Sequence, residues 1–176
     1  MRRFRTLLLS ALLAWVLPTL LPAADSPFNG RWRLDKDHST ALDGWSDWDL
    51  LIQVDGSHVK FDYDMQWSST KFSVSNVFDT AQSVTLPNFF RVEQRHMALY
   101  PAKGQSTPVR AEWLDNHRTL RIEADAPIEI SQGNTTMRIY AEYRLLEGDH
   151  ELVLIELHSS RPRPLVYRFT KVSTEK

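Results

Sequence analysis

From Trp48 onward, apolar and polar residues alternate one by one, and that two-residue period restricts the chain to β-structure. Trp48, Leu50, Ile52 and Val54 fall on one face, and Asp47, Asp49, Gln53 and Asp55 fall on the other. Asp55-Gly56 supplies residues that tolerate the positive φ of a tight hairpin. Val59, Phe61, Tyr63, Met65 and Trp67 then continue the apolar face on a return strand. The pattern recurs at Phe72 and Val74, at Val109, Ala111 and Trp113, and at Leu120, Ile122 and Ala124. It returns again from Met137 to Leu145, and in Leu165, Tyr167 and Phe169. Turn formers sit between these runs, at Asp115-Asn116 and at Glu147-Gly148-Asp149. No window after residue 24 carries a sustained helical period with caps. Strands in such a series need protected edges, so the expected fold is all-β: a single antiparallel meander β-barrel of eight to ten strands. Residues 80–107, interrupted by Pro87, Pro101 and Gly104, are the least regular, with a strand expected from Phe90 to Tyr100.

The first 24 residues follow different rules. Arg2, Arg3 and Arg5 precede an apolar run from Leu7 to Leu21, and Pro22-Ala23-Ala24 closes it. Charge, then a short apolar stretch, then small residues is the order of an export signal. A membrane span needs roughly 20 uninterrupted apolar residues, and Pro18 and Pro22 break this run. The expected organisation is therefore a cleaved signal peptide, 1-24, and one barrel domain, 25-176, with no integral membrane segment after cleavage. The expected location is the bacterial periplasm or the medium.

Composition narrows the chemistry. The 176-residue chain has no cysteine, so thiolate catalysis, thiolate metal sites and disulfides are all excluded. Its 21 basic and 22 acidic side chains include the three signal arginines, so the remainder is mildly acidic and has no electrostatic reason to bind nucleic acid.

Phe28-Asn29-Gly30-Arg31-Trp32 opens the domain. It resembles the Gly-x-Trp opening of the lipocalin and wider calycin superfamily, at Gly30 and Trp32. The resemblance implies a lipocalin-like barrel whose floor the tryptophan closes, with an arginine from near the last strand, Arg168 or Arg163, stacked across it. Trp32, Leu34, Asp35, His38 and Ser39 are also similar to the start of the bacterial periplasmic polyisoprenoid-binding family, which implies the same architecture around a long apolar chain.

A barrel of this size encloses space for about one small ligand. Phe61, Tyr63, Trp67, Trp113 and Tyr143, joined by His96, would line such a lumen and suit an apolar molecule or lipid. The alternative is a packed barrel that serves as an interaction or assembly module. For enzymatic chemistry the candidates are His96 and His158, with Glu156 as a partner two residues away on the same strand face. The simpler arrangement of that strand puts Val153, Ile155 and Leu157 inside and both polar groups in solvent, and it is the expected one. No nucleophile elbow, zinc-type histidine spacing, calcium loop or phosphate-binding glycine loop is present, and no metal or cofactor is expected.

Overall fold

The computed structural model describes residues 25–41, 46–89 and 100–173. Among the described residues eleven strands form one antiparallel sheet: β1 (Gly30–Asp35), β2 (Asp47–Asp55), β3 (His58–Trp67), β4 (Thr70–Asp79), β5 (Val84–Leu86), β6 (Tyr100–Pro101), β7 (Thr107–Leu114), β8 (Thr119–Ile130), β9 (Gly133–Leu145), β10 (Glu151–His158) and β11 (Leu165–Lys171). Ten of them follow the order β4-β3-β2-β1-β11-β10-β9-β8-β7-β5, and the two-residue β6 pairs with β8. The two ends of that order meet where β4 lies against β5 and β7, which makes a nearly closed barrel. There Asn76 donates from Nδ2 to the carbonyl of Asn88 at 2.8 Å and ties β4 to the segment after β5. The strand expected from Phe90 to Tyr100 lies, apart from its last residue, outside the described residues, as do the signal segment and His96.

Local sequence explains the hairpins. In the β2–β3 turn Asp55 pairs with His58, so the two-residue loop is Gly56-Ser57 rather than Asp55-Gly56. Of these, Gly56 takes the positive φ, at 58°. The β7–β8 turn holds three successive non-glycine residues in the left-handed region, Asp115, Asn116 and His117, at φ 51°, 52° and 63°. Asp115 is held there by the hydroxyl of Thr119, which donates to its carboxylate at 2.9 Å. Arg161-Pro162-Arg163-Pro164, which lacks two backbone donors, falls in the β10–β11 connection.

At the entry to β1, Trp32 is fully buried and its indole N–H donates to the Phe28 carbonyl at 2.8 Å. The cation across its ring is Lys171, with Nζ 5.0 Å from the ring centroid, and not Arg168 or Arg163. The register decides this, because Lys171 is the residue that pairs with Trp32, while Arg168 pairs with Asp35. Lys171 also donates to the Pro27 carbonyl at 2.7 Å. Gly30 has φ 128°, and a Cβ there would lie 3.1 Å from Lys171 Cε, so the glycine permits the close approach that seats the lysine.

The interior is continuous and unevenly built. Aromatic side chains concentrate on one part of the wall. Trp48 on β2 meets Tyr167 and Phe169 on β11 with ring centroids 5.2 and 5.0 Å apart, and Phe61 on β3 meets Phe78 on β4 at 5.3 Å. The inward faces of β7, β8 and β9 instead carry short side chains at Ala111, Ala124, Ala126 and Ala141, all buried.

Candidate functional site

The alanine belt borders the only buried acid–imidazole pair among the described residues, and strand β10 supplies it. Leu152, Leu154, Glu156 and His158 are buried, while Val153 and Ile155 are half-buried and Leu157 is 46% exposed. The strand thus presents the opposite face to the one expected from its apolar run. Its neighbours fix the choice. Leu152 pairs with Leu145 and Phe169, and Leu154 pairs with Tyr143 and Tyr167, all inward residues of β9 and β11. A one-residue slip would remove both leucines from the core along with the polar pair.

The same register sets Glu156 beside Ala141, which continues through Ile122 to Ala111. His158 sits beside Ile139, followed by Ala124 and Val109. His158 Nε2 and Glu156 Oε1 are in direct contact, with the two side chains 0% and 8% exposed. Carboxylates this deep in apolar surroundings need such a partner.

Two phenols complete the set. Tyr63 and Tyr143 are hydrogen-bonded to each other, and Phe61 packs on both, with ring centroids at 5.9 and 4.9 Å. Burial pushes the pKa of Tyr63 far above that of a free phenol, and the charge of Glu156 adds to the shift. Tyr143 moves the same way, chiefly through burial, then through Tyr63 and Glu156. Both phenols therefore keep their protons and act as hydrogen-bond donors. Because Phe61 stands on β3 and Tyr143 on β9, their contact crosses the barrel.

Of the lumen residues expected from sequence, Phe61, Tyr63 and Tyr143 converge here. Trp113 lies elsewhere, half-buried against Phe28 at 4.9 Å and His117 at 5.5 Å. His96 and the side chain of Trp67 lie outside the described residues. Glu156 and His158 face inward with them, and their spacing of two on one strand is the signal that brings them together.

Two hollows are formed by the described residues. One, of about 650 Å³, is lined by the outward residues Arg110, Glu123, Asp125, Arg138, Tyr140 and Leu157 and also by Val109, Ala124, Ile139 and His158. The other, of about 330 Å³, is lined by Arg31, Asp49, Asp64 and Lys71 among others. In the latter region Asp49 accepts from Arg33 at 2.9 and 3.0 Å and from Arg31 at 3.0 Å, and these donors hold its carboxyl below the usual carboxylate range. Among the described residues no group of three His, Asp or Glu side chains is placed to hold a metal, and no helix is long and apolar enough to cross a membrane.

No family model matches the sequence, and no curated protein matches it. Solved structures do resemble the fold. A secretory abundant heat soluble protein from Ramazzottius varieornatus is 12% identical, aligns over 84% of this chain and 96% of its own, and gives a TM-score of 0.50. Secretory abundant heat soluble protein 4 from the same organism is 11% identical over 84% and 96%, with a TM-score of 0.48. Apo lipid binding protein 8 from Caenorhabditis elegans is 13% identical over 83% and 96%, at 0.46. The first of these extends to a common fold, a calycin-like barrel.

Proposed function

We propose that this chain is an exported binding protein of the bacterial cell envelope whose barrel holds an apolar small molecule or lipid. The observation that carries the reading is the asymmetric inner wall. Aromatic rings crowd one part, whereas four alanines on β7, β8 and β9 face inward beside a polar pair. Short side chains on an inner wall suit an apolar guest, and a few convergent polar groups suit its orientation. The basic, apolar and small-residue order of positions 2–24 supports export.

Native mass spectrometry of protein recovered after expression of the full chain tests this. The expected result is a retained lipid-sized adduct on a chain that begins near Asp25. Ala124→Phe, which fills the belt, should lose the adduct while keeping a cooperative thermal transition. A second reading, the packed barrel acting as an interaction module, is favoured by the Phe61–Tyr143 contact across the interior. A bare mass, with no tryptophan fluorescence response to a lipid panel, would establish that reading instead.

A further inference from the structure

We infer that two copies of this chain associate through the outer face of β10, about a two-fold axis that sets the strand of one copy antiparallel to that of the other. This is independent of what the barrel holds. Outward positions on the preceding strands are charged, as at Arg110 on β7, Glu123 on β8, and Arg138 and Arg144 on β9. Among the described strands β10 breaks that rule. Val153, Ile155 and Leu157 all point outward, with Leu157 46% exposed, and Val166 of β11 lies beside Ile155. Leu152 and Leu154 already supply the core side of the strand, so packing within the barrel does not account for this second apolar row. A contiguous apolar row on an outer face marks a surface that meets another molecule.

The two ends of the strand say which molecule. The turn before β10 carries Glu147 and Asp149, and the strand opens on Glu151. The connection after it carries Arg161 and Arg163, and Arg138 is tied to that end by backbone bonds with Ser159. Part of the acidic end is matched within the chain, since Asp149 meets Arg118 at 2.9 Å and Glu151 meets Arg168 at 3.6 Å. Glu147 at one end and Arg163 at the other form no ion pair among the described residues. An antiparallel two-fold lays the acidic end of each strand over the basic end of the other, twice, whereas a parallel one sets like charges together. The eight residues of β10 span about 27 Å, and β8 to β11 are about 19 Å across, a face of roughly 500 Å² per copy. Two such faces bury about 1,000 Å², at the lower limit of a specific interface, which corresponds to a dissociation constant of about 1–100 µM.

Sedimentation velocity of the purified full-chain product across about 1–100 µM tests this. The expected result is a reversible rise from the mass of one chain to that of two. Leu157→Glu puts an unpaired charge between the apposed faces and should weaken association by at least about 100-fold, leaving a monomer throughout. Its exposed position keeps the fold, which an unchanged thermal transition verifies. Glu147→Arg or Arg163→Glu alone should weaken association about tenfold, and the two in one chain should bring it back to within about threefold of the unaltered protein. A monomer at every concentration would overturn the proposal, including one that binds phosphatidylcholine vesicles through Leu157, which would give the apolar row to a bilayer. A dimer that withstands Leu157→Glu would put the contact on another face and overturn it as well. Single reversals without effect, or a double exchange that recovers nothing, would overturn the antiparallel arrangement.

Discussion

Replacing the buried pair with leucine, singly and together, separates a structural role for Glu156 and His158 from a binding role. Their side chains are 8% and 0% exposed and touch through Nε2 and Oε1. His158→Leu strips the carboxylate of that partner, and removal of one member of a buried pair costs about 3–5 kcal/mol. The added apolar burial returns about 1–2 kcal/mol of this, for a net loss of about 2–3 kcal/mol. Glu156→Leu should cost a similar amount. In Glu156→Leu/His158→Leu no buried polar group of the pair is left behind, so the double variant should match or exceed the unaltered protein. The coupling between the two substitutions is then several kcal/mol, against a total stability of about 5–15 kcal/mol for a domain. Urea unfolding followed by tryptophan fluorescence measures it, and with a slope of about 1–3 kcal/mol per molar each single change lowers the midpoint by about 1–2 M. A double variant as unstable as the sum of the singles would refute the reasoning, and would mean that the pair supports the fold. Recovery of stability with loss of ligand would mean that the pair is kept for binding.

Gly30→Ala forces a side chain into φ 128° and against Lys171 Cε, and should cost about 1–3 kcal/mol in urea unfolding; an unchanged midpoint would show that the entry to β1 relaxes freely. At Asn116, held at φ 52°, valine should cost about 1–2 kcal/mol whereas glycine should not destabilise, a contrast that thermal melts of the two variants resolve. The carboxyl of Asp49 is held below its ordinary value of 3.8, so its contribution is complete above that pH and disappears as pH falls through the folded value. Asp49→Asn should therefore lose about 0.5–1 kcal/mol at pH 7 and show a flatter decline of stability below pH 4.

Most of the barrel is legible in the sequence because a two-residue period reports burial directly, as Trp48 to Val54 and Met137 to Leu145 illustrate. β10 resists the same reading. Val153, Ile155 and Leu157 are as apolar as Leu152 and Leu154, so the period has no preferred phase, and only the pairing with Tyr143, Tyr167 and Phe169 selects one. The cation over Trp32 is hidden for a related reason. Arg163, Arg168 and Lys171 are all close enough in sequence, and the offset between β1 and β11 alone makes Lys171 the partner. Phe61, Tyr63 and Tyr143 are legible as inward residues, but their meeting across the barrel depends on closure, which no local pattern encodes.

The pairing of β1 with β11 also bears on how the chain reaches its folded state. Lys171 reaches the Pro27 carbonyl across 144 sequence positions, and the first strand stays unpaired on one side until the last arrives. Contacts of such long range close slowly, because the loop entropy is lost before any reward is gained. On the proposed export reading, a chain threaded through a channel from its N-terminus would stay translocation-competent until β11 emerges. The sheet would then seal on the far side, around a ligand present there.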